Sequence, residues 1–278
     1  MSVAELDVQY DARATVSDFD AEMRDYRALS DAAYRDLNVI KDIAYGQNVA
    51  ERIDLFPAAS KDSPLFVFVH GGYWRALGRA DSAFMAKSFV AQGISVAIVE
   101  YTLAPIATLD QIVDQIRRAL DFLLNDHSDF GYSPQKVFIG GSSAGAHLAA
   151  MTLASGLDFQ PRNAIKGALL ASGLYDLTPL EFCKPNLWLK LDSDAAQRNS
   201  PILLPSPTET PFVIFWGETE TAEFKRQSTD YADKISVSGC IVTAFEVANR
   251  NHFNVITTLA DPTSQAYRAA LDMIETKA

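Results

Sequence analysis

The most constraining stretch of this sequence is residues 136–151, which read KVFIGGSSAGAHLAAM. Residues 136–139 are rich in β-branched and aromatic side chains, as in a buried strand, and the residues after Gly145 are helix formers. Between them, Gly141, Ser143 and Gly145 fit the G-x-S-x-G pattern of a nucleophile elbow, a turn tight enough to require glycine at both flanking positions. The pattern predicts a strand–turn–helix unit that presents the serine hydroxyl above a sheet edge. The alternative is a glycine-rich turn with an idle serine.

Strand-like and helix-like segments alternate along the rest of the chain. Residues 65–69 are continuously apolar, as expected for a strand covered on both faces, and residues 94–99 are predicted as another buried strand. Residues 108–125 carry apolar side chains at helical spacing. This alternation predicts the α/β class, with a mostly parallel central sheet and helices on both faces. The other predicted strands are 43–45, 52–56, 165–171, 211–216 and 241–247, and the other predicted helices are 17–37, 81–92, 223–235 and 263–276.

The 278 residues suffice for one large domain, and no repeat or linker divides them. We therefore expect a single domain, 1–278. Within its N-terminal arm and helix (1–37), we expect residues 1–16 to be a loose arm. The proline-rich segment from about 173 to 207 is too long for an idle connection and predicts a small cap or lid over a pocket.

Charge and composition exclude several classes of partner. The net charge of −11 disfavours nucleic acid and anionic membrane surfaces, and no apolar run approaches a membrane span. No basic and apolar leader is visible, so we expect a cytoplasmic protein. The two cysteines, Cys183 and Cys240, make no metal spacing, and we expect neither a metal nor another cofactor.

An activated serine needs a general base, and the chain has four histidines. His252 follows the last predicted strand, where we expect the base. His70 opens a glycine loop and is expected to orient it. His147 lies one helical turn after Ser143 and is expected to be packed and hydrogen-bonded, while His127 is expected to be solvated.

The base in turn needs a carboxylate that orients it. Glu218 and Glu220 both follow the predicted strand 211–216, and Asp176 follows the strand before it. We favour Glu220. Glu218 remains open, and so does Asp176, whose simpler interpretation is a turn or helix cap.

Oxyanion donors are expected from two backbone segments. The N–H of Ala144 follows the serine directly, and the loop His70–Gly71–Gly72–Tyr73–Trp74 follows a buried strand, as an oxyanion loop should. Within that loop we predict the amides of Gly72 and Tyr73 as the donors. An ordinary β-turn is the alternative for this loop.

Motifs spread over nearly the whole chain after the first predicted helix match one known family. They are AYGQNVAERIDLF at 44–56, HGGYW at 70–74, LAP at 103–105, TLDQIVDQ at 108–115, GGSSAGAHLAAM at 140–151, GETETAEFKRQS at 217–228 and NHFNVI at 251–256. On these motifs the sequence resembles the arylformamidases (kynurenine formamidases), metal-independent members of the esterase/lipase branch of the α/β-hydrolases. The resemblance implies an α/β-hydrolase fold, Ser143 as nucleophile, His252 as base and HGGYW as the oxyanion element. The family usually has aspartate in a Gly-x-x-Asp-Ser-Pro pattern where this chain has Glu220.

The resulting hypothesis is a serine hydrolase that removes a formyl group from an aryl amide through an acyl-enzyme. A broad short-chain carboxylesterase and a non-catalytic binding protein of the same fold are the alternatives. We expect a small aryl amide or ester as substrate, and Arg75 or Arg250 as a contact for a substrate carboxylate. A homodimer is a further expectation, with no particular motif behind it. The predicted pocket residues are His70, Gly71, Trp74, Trp188, Trp216 and Phe253.

Overall fold

A computed structural model describes residues 1–125, 130–154, 164–207 and 209–277. Its eight strands form one sheet in the order β1-β2-β4-β3-β5-β6-β7-β8. Strand β2 is antiparallel to both of its neighbours, and the other neighbouring pairs are parallel. The strands are β1 Ile40–Ala44, β2 Arg52–Phe56, β3 Leu65–Val69, β4 Ser95–Val99, β5 Val137–Ser142, β6 Ile165–Ala171, β7 Phe212–Gly217 and β8 Val242–Val247.

Helices cover both faces of this sheet. In the central strand β3, Val67 packs into the core on one face while Phe66 and Phe68 pack into the core on the other. This double burial explains why the central strands read as unbroken apolar runs, and the predicted α/β class is confirmed. The helices are α1 Val3–Gln9, α2 Phe19–Asp36, α3 Ala86–Ala91, α4 Leu109–Asn125, α5 Ala144–Leu153, α6 Asn186–Leu189, α7 Ser193–Arg198, α8 Ala222–Val237 and α9 Gln265–Lys277.

The N-terminal residues differ from the prediction. Instead of a loose arm, these residues form helix α1, whose N-terminus carries a capping box between Ser2 and Glu5. A short 3₁₀ helix follows at Ala12–Thr15. Helix α1 has only seven residues, so its apolar periodicity is too short to detect in the sequence. Its stability comes from tertiary contacts, since Leu6 and Tyr10 are buried in the core.

Other predicted boundaries also shift. The helix predicted at 81–92 is confined to α3, because a 3₁₀ turn and a loop come before it. Helix α2 is capped by Asp18, one residue after the predicted Ser17. Strand β5 runs on to Ser142, because Gly140 and Gly141 still pair with both neighbouring strands.

The proline-rich segment 173–207 is less irregular than predicted. It holds a 3₁₀ helix, Thr178–Phe182, and the helices α6 and α7. Its role as a lid stays a prediction. No helix among the described residues has the length and apolar character needed to cross a bilayer.

Candidate active site

Ser143 lies at a sharp turn between β5 and α5. Its backbone has φ 54° and ψ −118°, a conformation that L-residues adopt only when the surroundings enforce it. A β-carbon on Gly145 would lie 2.0 Å from the carbonyl oxygen of Val69, and one on Gly141 would lie 2.3 Å from the carbonyl carbon of Gly145. The predicted need for glycine on both sides of the serine is therefore confirmed.

The carboxylate of Glu220 is hydrogen-bonded to the imidazole of His252. Nδ1 of His252 donates to Oε2 of Glu220 over 2.8 Å, and both side chains are almost fully buried. The other carboxylate oxygen accepts from the backbone N–H of Gly217 at 2.6 Å and from the hydroxyl of Ser172 at 2.5 Å. Three donors thus stabilise the negative charge of the Glu220 carboxylate. An imidazole that carries its proton on Nδ1 has Nε2 free to accept a proton from the serine.

The two alternative acids have other partners. The carboxylate of Glu218 is exposed and accepts from the backbone N–H of Asn249 at 2.7 Å. Asp176 accepts from the N–H and the hydroxyl of Thr178 at 3.0 and 2.6 Å, which is the turn-capping contact considered from its sequence position.

Hydrogen bonds connect the elbow to this acid–base pair across the ends of neighbouring strands. The N–H of Ser143 donates to the carbonyl of Ala171 at 2.8 Å, and Ser172, the next residue, is the one whose hydroxyl reaches Glu220. Within the described ranges, no hydrogen bond joins the Ser143 hydroxyl to His252. Such bonds commonly tighten only when substrate binds.

The loop after β3 lies directly against the elbow. A β-carbon on Gly71 would come within 2.8 Å of the carbonyl oxygen of Ser142 and 3.3 Å of Cβ of Ser143. Gly72 has φ +97° and Tyr73 has φ 52°, and neither backbone N–H donates to an acceptor in the described part of the chain. The N–H of Ala144 starts α5 and has no intrahelical partner. These three amides are available for an oxyanion.

His70 is fully buried beneath this loop and is stacked on Tyr101 with 4.2 Å between the ring centroids. Its Nδ1 lies 2.9 Å from the carbonyl oxygen of Gly71, and its Nε2 lies 2.9 Å from a carboxylate oxygen of Glu100. Burial opposes ionisation of Glu100, but hydrogen bonds from His70 and from the N–H of Arg79 outweigh it and lower the pKa of this carboxyl group. His70 is thus placed to orient the loop and, being fully buried, not to line a pocket.

The predicted aromatic pocket is only partly assembled. The indole N–H of Trp188 donates to the carbonyl of Tyr73 at 3.0 Å, and the ring of Phe253 lies 5.4 Å from that of His252. Trp74, in contrast, is fully buried core, edge-on to His147, and Trp216 donates its indole N–H to Glu246 on β8. Trp74 is therefore a core residue with no surface open to a substrate. The pleat of β7 directs Trp216 toward its partner on the neighbouring strand β8, so neither tryptophan is placed beside Ser143 by the contacts described.

Two contacts of the acid–base pair were missed from the sequence. One is Ser172, and the other is Phe224, whose ring lies 4.4 Å from that of His252. The available signal for Ser172 was its place directly after a predicted strand. Phe224 reads as an ordinary apolar helix position.

His147 is packed and hydrogen-bonded, as predicted, with Nε2 lying 2.7 Å from the carbonyl oxygen of Asn199. Its Nδ1 has no partner among the described residues. His127 lies outside the described residues. Across the described ranges, histidine, cysteine, aspartate and glutamate form no cluster of three or more that could hold a metal ion.

We expect His147 to make the protein less stable in mild acid. Burial lowers the pKa of its imidazole from 6.5 to about 4, so between these values the unfolded chain binds a proton that the native state excludes. The contribution of the neutral His147 imidazole to the free energy of unfolding is fully present above pH 6.5. It is lost as the pH falls toward 4, and about 2 kcal/mol of it is lost by pH 5. Denaturant unfolding at pH 7.5 and 5.0 measures this loss. The His147→Gln variant should show a smaller loss, and equal losses in both proteins would contradict the assignment.

The sequence and the fold of this chain are similar to those of known proteins. The family model BD-FAE matches residues 53–168. The chain is 36% identical over 229 residues to the kynurenine formamidase of Salmo salar, covering 79% of this chain and 76% of that protein. It is 33% identical over 245 residues to the kynurenine formamidase of Danio rerio, covering 84% and 82%. A crystal structure of a protein from Silicibacter sp. tm1040 matches with a TM-score of 0.86 at 26% identity, covering 98% of this chain and 99% of that chain.

These relatives are similar over most of both chains, and the sheet order and the elbow are those of an α/β-hydrolase. The chain is a hydrolase and belongs to the kynurenine formamidase family.

Proposed function

We propose that this protein is a serine hydrolase that removes the formyl group from an aryl formamide such as N-formylkynurenine. The observation that carries the proposal is the hydrogen bond from Nδ1 of His252 to Glu220, which is connected to the elbow of Ser143 through Ser172 at the end of β6. The family relationship supports the aryl formamide as the substrate class.

In the first step, Nε2 of His252 takes the proton of the Ser143 hydroxyl as Oγ attacks the formyl carbon. A C–O bond forms, and the carbonyl electron pair moves onto the oxygen. The N–H groups of Gly72, Tyr73 and Ala144 are the proposed donors to this oxyanion. The carboxylate of Glu220 stabilises the imidazolium.

In the second step, the imidazolium of His252 protonates the nitrogen as the C–N bond breaks, and the aryl amine leaves. Water then attacks the formyl ester of Ser143, with His252 again acting as the base. Formate is released and the serine hydroxyl is restored. No metal or redox partner enters this balance.

Limited access to the nucleophile supports a small acyl group. Ser143 is 5% exposed and His252 is 6% exposed, and the glycine loop lies against the serine. A formyl carbon carries only hydrogen beside its oxygen and nitrogen, so it fits this space with less displacement than a longer acyl chain.

We expect an aryl formamide to be cleaved with a kcat/KM about 10- to 200-fold higher than the matching aryl acetamide, since one carbon in a tight pocket has an effect of that size. Steady-state assays on N-formylkynurenine and N-acetylkynurenine provide the comparison, with p-nitrophenyl acetate and butyrate as ester controls. A negligible formamidase rate beside rapid ester cleavage would instead favour a short-chain carboxylesterase. The cytoplasmic location and the homodimer stay predictions.

A further inference from the structure

We infer that Tyr10, directly after α1, is a positioning residue for the active site and joins the oxyanion loop to the helix that follows the acid. The inference rests on the proposed function. It concerns a residue outside all of the motifs that carry the family resemblance.

The first link runs from Tyr10 to the oxyanion loop. The phenol of Tyr73 donates to the backbone carbonyl of Tyr10 at 2.5 Å, while the carbonyl of Tyr73 accepts from the indole of Trp188 at 3.0 Å. The side chain and the backbone of Tyr73 are therefore held at separate points. Tyr73 has a positive φ, so its backbone depends on such contacts to stay in this conformation. Its N–H is one of the proposed oxyanion donors.

The second link runs to α8, which begins two residues after Glu220. The hydroxyl of Tyr10 donates to Glu223 at 2.9 Å and accepts from the side-chain amide of Gln227 at 2.9 Å. Burial raises the pKa of this hydroxyl, so it stays protonated and keeps its donor role. The adjacent Gln9 accepts from the hydroxyl of Thr221 at 2.6 Å through its backbone carbonyl, and its side chain accepts from the N–H of Glu223 at 3.2 Å.

The third link runs through Gln227 to the start of the segment 173–207. Gln227 is fully buried, and its side-chain oxygen accepts the backbone N–H groups of Tyr175 at 2.5 Å and Asp176 at 2.7 Å. Because its amide nitrogen donates to Tyr10, the same glutamine connects the predicted cap to the N-terminal segment.

The ring of Tyr10 extends the connection to the base. It lies edge-on to Phe224 with 6.2 Å between centroids, and Phe224 in turn lies 4.4 Å from the ring of His252. Tyr10 is 2% exposed, so removing its ring would leave a cavity beside Phe224. Relaxation into that cavity would shift the wall against which His252 packs.

The expected consequence is a loss in kcat rather than in substrate affinity, because the links reach a donor and the base. Small displacements of reacting groups can cost about 100-fold in rate. We expect Tyr10→Ala to lower kcat by about 10- to 100-fold with little change in KM. Tyr10→Phe keeps the ring and the backbone carbonyl but removes the hydroxyl bonds to Glu223 and Gln227, so its loss in kcat should be smaller than that of Tyr10→Ala.

The test compares Tyr10→Ala, Tyr10→Phe and Tyr73→Phe with wild type, and Tyr267→Phe is the matched control. The buried hydroxyl of Tyr267 also donates to a backbone carbonyl, that of Ser88 at 3.1 Å, but on the opposite side of the sheet from these contacts. Tyr267→Phe should lose stability without losing kcat. Tyr73→Phe removes the phenol that reaches Tyr10 and leaves the Tyr73 N–H in place, so it tests the first link even if Tyr10→Ala folds poorly.

Two rates are measured for each protein: turnover of the aryl formamide and the rate constant for labelling by a fluorophosphonate. Labelling uses the nucleophile, the base and the oxyanion donors but does not depend on formamide specificity, so failure of the proposed substrate would not be mistaken for failure of the Tyr10 inference. We expect Tyr10→Ala and Tyr73→Phe to slow labelling, with the rate of Tyr10→Phe between those of Tyr10→Ala and wild type. Wild-type labelling rates in folded Tyr10→Ala and Tyr73→Phe would overturn the inference, and so would slowing of the same size in Tyr267→Phe.

Discussion

Replacing Ser143 by alanine is expected to lower kcat by about 10⁶-fold, the loss typical of removing a serine nucleophile from a triad that acts as a unit. Without Oγ no acyl-enzyme forms, and the remaining donors can only bind the substrate and stabilise charge. The fold should tolerate the change, because the serine hydroxyl makes no capping hydrogen bond to α5. Turnover and fluorophosphonate labelling should both disappear, while the thermal unfolding midpoint stays close to that of wild type.

Ser142 is a matched control for this experiment. It is the neighbouring serine in the same glycine-rich turn and is similarly buried, but it ends β5 instead of occupying the elbow. Ser142→Ala should keep both labelling and turnover. Undiminished labelling of Ser143→Ala would disprove the nucleophile assignment, and a wild-type protein that neither labels nor turns over substrate would support the non-catalytic alternative.

Replacing Glu220 by glutamine is expected to lower kcat by about 10⁴-fold, the scale seen when a triad carboxylate becomes an amide. The carboxylate accepts hydrogen bonds from three donors: His252, Ser172 and the N–H of Gly217. An amide has a single acceptor oxygen, so its NH₂ group must face at least one of these donors. The imidazole would then lose either its tautomer or its orientation, and the imidazolium would lose its counter-charge in any arrangement.

Glu218→Gln is the control, since it makes the same chemical change on an exposed side chain two residues away. Its contact is the N–H of Asn249, which an amide oxygen can also accept. Glu218→Gln should leave kcat unchanged. Steady-state kinetics of both variants decide the assignment, and a large loss in Glu218→Gln with activity kept in Glu220→Gln would reverse it.

The features that could be predicted from the sequence depend on neighbouring residues in the chain. The elbow is one, because its G-x-S-x-G pattern is local, although the close contact that excludes a side chain at Gly145 comes from Val69 on β3. The alternation of strands and helices is another, since apolar runs and helical periodicity are local patterns. The order of β–α units then places the strand ends at one edge of the sheet, where Ser143, Glu220 and His252 lie.

Contacts between distant parts of the chain could not be predicted in this way. Which of Glu218 and Glu220 faces His252 depends on the conformation of one short loop, and the two differ only in the direction their side chains take. Trp216 shows the same limit, because the pleat turns it toward Glu246 on the neighbouring strand. Helix α1 carried too few residues for a periodic signal, and its stabilising contacts join it to distant parts of the chain, as in the bond from Tyr10 to Glu223.

Local sequence patterns were sufficient to predict the α/β class, the elbow with its glycines, and the loops that hold the proposed base, acid and oxyanion donors. Each follows from backbone sterics or apolar periodicity within a few residues. The folded structure was needed to establish that Glu220 contacts His252, that Ser172 and Phe224 contact this pair, and that the N-terminal segment packs beside it. Those choices depend on side-chain direction and on packing between segments far apart in the chain, which no local pattern encodes.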